Sequence, residues 1–122
     1  DRLVIKEGRS ELANNLAMAY MNKATAVGAL GDNRAAVDLY DKAIQIYERL
    51  VNKEGRSELL GDLCYLKLNK AVCLHELGEI QKAKNEAQAA IPVLRAEVKR
   101  TGRADLSSLL NLAETNLKML LE

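Results

Sequence analysis

Large aromatic residues, proline, histidine and cysteine are scarce in this chain of 122 residues, which has no Phe or Trp, one Pro, one His and two Cys. The core must therefore be built from Leu, Ala, Ile and Val with a few Tyr, and the near absence of proline favours helix almost everywhere. No apolar run approaches the ~20 residues that span a bilayer. A formal net charge of +1 gives no electrostatic reason to expect nucleic acid or an anionic membrane as a partner.

Residues that could carry catalysis or bind a metal are equally few. His75 is the only histidine, and Glu76 follows it directly, so the two side chains lie on different faces of a helix. Cys64 and Cys73 stand nine residues apart on opposite helix faces, a spacing that fits neither a disulfide within one helix nor a zinc site. We therefore expect no enzyme activity, no metal and no cofactor. We interpret the cysteines as buried hydrophobic residues of a protein in a reducing, cytoplasmic compartment.

One six-residue segment recurs and divides the chain into repeats. Glu-Gly-Arg-Ser-Glu-Leu occupies residues 7–12 and again 54–59, and a degraded copy, Thr-Gly-Arg-Ala-Asp-Leu, occupies 101–106. The copies begin 47 residues apart, and a fixed period of ~20–50 residues is typical of repeat architectures. We therefore interpret residues 1–122 as one segment of a longer array. It comprises the end of a preceding helix (1–6), repeat 1 (7–53), repeat 2 (54–100) and the first helix of repeat 3 (101–122).

Each repeat is predicted to contain two helices. In repeat 1, Gly8 breaks the preceding helix, Ser10 caps a helix that reaches about Leu30, and Gly31 with Asp32 separates it from the next. The other helices are predicted, in chain order, at residues 33–52, 57–77, 80–100 and 104–121.

Two residues carry further expectations about the second repeat. Ser57 is predicted to cap its first helix, and Pro92 to kink its second helix without ending it. Two helices joined by a short glycine-containing turn imply an antiparallel hairpin, and each hairpin must stack on its neighbours to bury its apolar face. We therefore predict an all-α fold, an α-solenoid of stacked antiparallel hairpins with about five helices.

The turn and second helix of repeat 1 resemble the tetratricopeptide (TPR) family. The segment Leu30-Gly31-Asp32 matches the family's turn, Ala36 stands four residues before the aromatic Tyr40, and Ala43 follows three residues later. Upstream, Ala24 falls where the family has a small residue. Small side chains at these positions allow two helices to approach closely.

The resemblance extends over the whole chain. Tyr20 falls where the family usually has Trp, and repeat 2 matches at Leu77-Gly78-Glu79, Ala83 and Ala90. The repeat of 47 residues exceeds the usual length of ~34, because both helices are extended. The resemblance implies a right-handed superhelix.

In TPR-like stacks the first helix of each hairpin lines a concave face, which grips an extended peptide or a partner's helix. The resemblance therefore implies a scaffold for protein–protein interaction whose ligand is a protein or peptide. Transferred position by position, the partner-binding residues are Met18, Met21, Asn22, Thr25, Tyr65, Leu68, Asn69, Val72, His75, Leu112 and Asn116.

Three of these residues, Asn22, Asn69 and Asn116, occupy the same position in successive repeats. Some peptide-binding members of the family place an Asn there that holds the ligand backbone, and an amide offers both a donor and an acceptor. The alternative is that the amides bond neighbouring helices and keep the stack in register. Both interpretations stand on the sequence alone.

A clamp for a C-terminal carboxylate, known in this family, is not expected. The positions where such a clamp would carry lysine hold Met21, Leu68 and Thr115. Lys23 and Lys70 also recur, and we expect them to be solvated charges at the edge of the face. Exposed Met and Tyr side chains favour adaptable contact with a partner.

The inter-repeat turns carry Arg9, Arg56 and Arg103 at matching positions. We expect each guanidinium to bind a helix C-terminal carbonyl or a neighbouring acid. The acidic residues next to these arginines argue against a row of phosphate sites.

The second hypothesis for function is a structural spacer that associates mainly with itself. The last helix is predicted to leave an apolar face bare, and such a face is expected to dimerise or exchange helices. Its residues are Leu109, Leu110, Leu117, Leu120 and Leu121.

Overall fold

The computed structural model describes the backbone of residues 2–121 and the side chains of residues 7–115. Within that range the chain forms five α-helices, one 3-10 turn and no strand. The helices are α1 (Arg2–Ala29), α2 (Asn33–Asn52), α3 (Leu60–Glu76), α4 (Ile80–Thr101) and α5 (Ala104–Leu121), and the 3-10 turn is Ser57–Leu59. The predicted all-α class is confirmed, and α4 continues through Pro92 as predicted.

Each helix packs against the helix that precedes it in the chain, and α3 also contacts α5. The turn before α2 shows how local sequence sets a boundary. Gly31 has a φ of 93°, in the left-handed region that favours glycine. Asp32 then caps α2, because its Oδ1 accepts a hydrogen bond from the Ala35 backbone N–H at 3.1 Å. The predicted start of α2 is therefore correct.

Two core clusters lie on different sides of α3. The first core cluster joins α1, α2 and α3 and also includes Leu59 of the 3-10 turn and Ala83 of α4, and the second joins α3, α4 and α5. Ala24 of α1 and Ala36 and Ala43 of α2 are fully buried in the first cluster, which lets these helices approach closely. Cys73 lies in the first cluster and Cys64 in the second, so both cysteines are buried and free, as predicted. Burial raises the pKa of the Cys64 thiol to about 11.

The two identical hexapeptides adopt different conformations. Residues 7–12 lie inside the continuous helix α1, so the predicted break at Gly8 and cap at Ser10 are wrong. Residues 54–59 leave the helix: Gly55 has a φ of 68° and the 3-10 turn follows. α3 begins only at Leu60, and no side chain caps it, so the predicted cap at Ser57 is also wrong.

Arg56 connects the second hexapeptide to the first. Its Nη1 donates to the Ser10 hydroxyl at 2.8 Å and lies 3.0 Å from a Glu11 carboxylate oxygen, while its Nε donates to Glu58 at 2.8 Å. Arg103 pairs in the same way with the acidic residue two positions after it, since its Nε and Nη2 both donate to the Asp105 carboxylate. The prediction that these arginines bind neighbouring acids is confirmed for both.

Lys70 links three helices and is not the solvated charge that the sequence suggested. Its ammonium lies 2.7 Å from Asp41 of α2 and 3.0 Å from Glu86 of α4, and only 18% of the side chain is exposed. Burial alone lowers the pKa of Lys70, but the hydrogen bonds to these two carboxylates and their negative charges together outweigh burial and raise it. Lys23, its counterpart in repeat 1, is exposed as predicted.

The apolar residues of α5 are packed inward over the part whose side chains are described. Leu110 is buried and Leu109 packs against the second core cluster, so the prediction that both lie on a bare face is wrong. They follow Leu106, which is buried against Gly61 of α3. Leu117, Leu120 and Leu121 lie outside the described side chains.

The same substitution in the two hexapeptides is expected to have opposite effects. Gly8→Ala should stabilise the protein by about 0.5–1 kcal/mol, because Ala favours helix and nothing lies within 4 Å of the added methyl group. Gly55→Ala should destabilise it by about 1–2 kcal/mol, because L-residues disfavour positive φ. Urea unfolding followed by circular dichroism measures both. Loss of stability in Gly8→Ala would show that residues 7–12 form a turn in solution.

Candidate functional site

An open groove runs along one side of α1, α3 and α5. A cavity of about 480 Å³ lies between α1 and α3. A second cavity, of about 270 Å³, lies beside Met21, Asp62 and Leu109. Tyr65 lines both cavities, so the two form one surface, which we call the groove.

One stripe of α3 supplies the floor of the groove. Asp62, Tyr65, Asn69, Val72 and Glu76 all line it, and their alternating spacing of three and four residues places them on a single helix face. The stripe carries a carboxylate near each end of the helix. Between them lie an aromatic ring, an amide and a branched aliphatic side chain. The groove therefore presents apolar contact area and hydrogen-bonding groups side by side.

A short hydrogen-bond chain crosses from α1 to α2 at the larger cavity. The Thr25 hydroxyl donates to the Met21 carbonyl at 3.0 Å and lies 3.0 Å from the Tyr40 hydroxyl. Because a threonine hydroxyl has one proton, Tyr40 must be the donor in the second bond. The Tyr40 oxygen therefore keeps acceptor capacity where it meets the groove.

Asn69 lies beside this phenol. Burial raises the pKa of Tyr40, and the hydrogen bond with Thr25 and, to a smaller extent, the side chain of Asn69 oppose that rise. Asn69 and Tyr40 both line the larger cavity. The amide of Asn69 therefore lies between a neighbouring helix and the open groove. This position is compatible with both interpretations of the residue, contact with a ligand backbone and contact with a neighbouring helix.

The structure divides the predicted partner-binding residues into three groups. Those that line the groove are Met21, Thr25, Tyr65, Asn69 and Val72. Those that are exposed but are not among the residues lining the two cavities are Met18, Asn22, His75 and Leu112.

One of the remaining two residues, Leu68, is not part of the groove. Leu68 is only 5% exposed and packs in the second core cluster, so its predicted place on an open face is wrong. Leu68 lies one residue before Asn69, a helix rotation of about 100°, so its side chain turns away from the α3 stripe and packs with α4 and α5. Asn116 lies outside the described side chains.

Sequence reasoning missed Asp62 and Glu76, although the pattern contained them. The stripe Tyr65, Asn69, Val72 extended by one helical step in each direction reaches both residues. Asp62 is half-buried, and burial raises the pKa of its carboxyl group. The charge of Arg103 opposes that rise, and the charge of Asp105 adds to it. Among the described side chains, the Asp62 carboxylate takes part in no ion pair.

Other kinds of site are not found in the described part of the chain. It contains no group of three His, Cys, Asp or Glu side chains placed to hold a metal ion. None of the helices over residues 2–121 combines the length and apolarity that crossing a membrane requires. Comparison of the chain with known protein families, with curated proteins and with solved structures finds no match.

Replacing Asp62 with asparagine is expected to stabilise the protein at neutral pH. Burial raises the pKa of this carboxyl group above its ordinary 3.8, so its ionised form opposes folding and stability falls as pH rises through that range. Asp62→Asn should raise Tm at pH 7 by on the order of 1–3 °C.

The gain should vanish as pH falls below about 4, because protonated Asp62 is itself neutral. The exposed Asp38→Asn on α2 is the matched control and should leave Tm within about 1 °C. Thermal unfolding by circular dichroism across this pH range measures both variants. A lower Tm for Asp62→Asn at pH 7 would show instead that the carboxylate stabilises the fold.

Proposed function

We propose that this protein is a non-catalytic interaction module that binds an extended peptide or a partner segment along the groove. The observation that carries the proposal is the α3 stripe, where Tyr65 and Val72 are 39% and 50% exposed on either side of Asn69. Exposed aromatic and aliphatic side chains beside polar groups that can still form hydrogen bonds are typical of peptide-binding surfaces. The only histidine, His75, is exposed and is not among the residues lining the groove, which favours binding over catalysis.

We further propose a TPR-like α-solenoid with a right-handed superhelix, in which the groove is the concave face. Three observations support it. Each helix packs on the one before it, and four of the residues that carry the resemblance, Ala24, Ala36, Tyr40 and Ala43, are buried. A Cβ atom on Gly28 would lie 3.4 Å from that of Ala36, so α1 and α2 approach closely at the turn.

Free, buried cysteines suit the reducing cytoplasm.

The charges of the groove indicate the chemistry of its ligand. Its charged lining residues are Asp62, Glu76 and Asp105. Arg103, which lies near Asp62, is bound to Asp105. Because the chain as a whole has a net charge of only +1, the acidity of the groove is local. We expect ligands with apolar residues and at least one Lys or Arg.

Selection of a random peptide library displayed on phage, with the protein immobilised, tests the proposal. Peptides enriched on the wild type should bind at least about tenfold more weakly to Tyr65→Ser and Val72→Ser, because both variants remove apolar contact from the groove. Fluorescence anisotropy measures the affinities. Val93→Ser changes a comparably exposed residue of α4 and should bind as the wild type does. Equal losses in all three variants, or no enrichment, would contradict the proposal.

The paired variant Asn22→Ala and Asn69→Ala separates the two interpretations of the asparagines. If they hold the ligand backbone, binding should be lost while Tm is nearly unchanged. If they hold helices in register, the variant should lose about 0.5–1.5 kcal/mol of stability for each hydrogen bond removed. Urea unfolding and anisotropy, measured on the same preparation, give both quantities. A large loss of stability with intact binding would exclude the ligand-binding interpretation.

A further inference from the structure

A stripe of six residues along the outer side of α1 and the turn after it is open to solvent. Leu12 is 69% exposed, Leu16 is 49% exposed and Leu30 is 87% exposed. Together with three residues that lie between them, these leucines recur at alternating intervals of four and three residues, which places all six on one helix face. This outer stripe consists of Leu12, Leu16, Ala19, Lys23, Ala26 and Leu30.

The same six positions in repeat 2, each 47 residues later, are covered. Leu59 and Leu63 are only 6% and 4% exposed, where Leu12 and Leu16 lie open. Leu77 packs against the first core cluster, where Leu30 is in solvent. The full set of counterparts is Leu59, Leu63, Leu66, Lys70, Cys73 and Leu77. The two stripes therefore have matching chemistry and differ in whether a neighbour covers them.

The repeat 2 stripe is buried by α2, which packs against it. The apolar face of α2, which includes Tyr40, Ile44 and Tyr47, is buried with that stripe in the first core cluster. Its carboxylates pair with the α3 lysines: Asp41 with Lys70 at 2.7 Å, and Glu48 with Lys67 at 3.4 Å. The interface is thus apolar in the middle with ion pairs beside it.

We propose that the outer stripe of α1 is a docking site for an amphipathic helix with the pattern of α2. That partner helix carries a stripe of aliphatic and Tyr residues, and a carboxylate at the position of Asp41 that pairs with Lys23. The charge complementarity follows the Asp41–Lys70 pair, and the apolar match follows the six equivalent positions. This site is separate from the groove, and its occupancy does not depend on the function proposed above.

A second copy of the chain fits this surface less well than a helix of that kind. In each copy, the apolar faces of α2 and α4 are already packed in the two core clusters. Two outer stripes placed face to face would bring the Lys23 side chains of both copies into one contact, and like charges there oppose association.

A synthetic peptide of residues 32–52, which keeps the Asp32 cap of α2, is the probe. Added to the isotope-labelled full chain, it should shift the backbone amide resonances of α1 around Leu12, Leu16 and Lys23. Resonances of Tyr65 and Val72 in the groove should stay unchanged. Leu12→Ser with Leu16→Ser should weaken binding at least about tenfold, because both leucines supply apolar contact area. Ile80→Ser, at an exposed residue of α4, is the matched control and should bind as the wild type does.

A charge exchange tests the pairing with Lys23. The peptide with Asp41→Lys should bind the wild-type chain several-fold more weakly at low salt, and the chain with Lys23→Glu should restore its affinity. Failure of that restoration would overturn the assignment of the ion pair.

Three results would overturn the docking site. The first is no shift in α1. The second is shifts centred on Ala24, Ala36 and Ala43, which would mean that the peptide replaces α2 within the chain. The third is concentration-dependent dimerisation that Leu12→Ser abolishes, which would assign the outer stripe to a second copy of the chain.

Discussion

Consecutive helices can approach closely here because alanine occupies their contacts. Ala24, Ala36 and Ala43 are fully buried, and the backbone at Gly28 is separated from Ala36 by little more than one methyl group. A chain without Phe or Trp has few bulky side chains to hold its helices apart. The remaining larger residues, such as Tyr40 and Ile44, fill the space beside the alanine contacts. The groove depends on this spacing, because α1 and α3 both pack against α2 and the larger cavity lies between them.

Local sequence predicted some helix boundaries correctly and others wrongly. The start of α2 was predictable, because Gly31 and Asp32 supply a left-handed residue and a cap that operate within a few residues. The groove was predictable in part: positions transferred from the family resemblance included Tyr65, Asn69 and Val72, which line it. The transfer of family positions failed for Leu68, because it does not show which side chains of α3 the neighbouring helices bury. Burial of Leu68 by α4 and α5 is a tertiary effect, and no pattern within α3 records it.

The repeated hexapeptide shows the limit of local reasoning most directly. Six identical letters form a helix at residues 7–12 and a turn at 54–59, so their propensities cannot be decisive. Their surroundings differ. Leu59 is buried in the first core cluster, whereas Leu12 is exposed, and Arg56 reaches back to Ser10 and Glu11. Tertiary contacts with the preceding hairpin accompany the turn conformation, and the first copy lacks the same burial.

The division of the core between two sides of α3 has a consequence for how the protein opens. Detachment of α5 would expose the second core cluster while most of the first remained packed, so α5 can unfold locally at a free energy below that of the whole chain. α3 contributes to both clusters, and its Lys70 is bound to α2 and α4. Its backbone amides are therefore released to exchange with solvent hydrogen last, in openings that involve the entire domain.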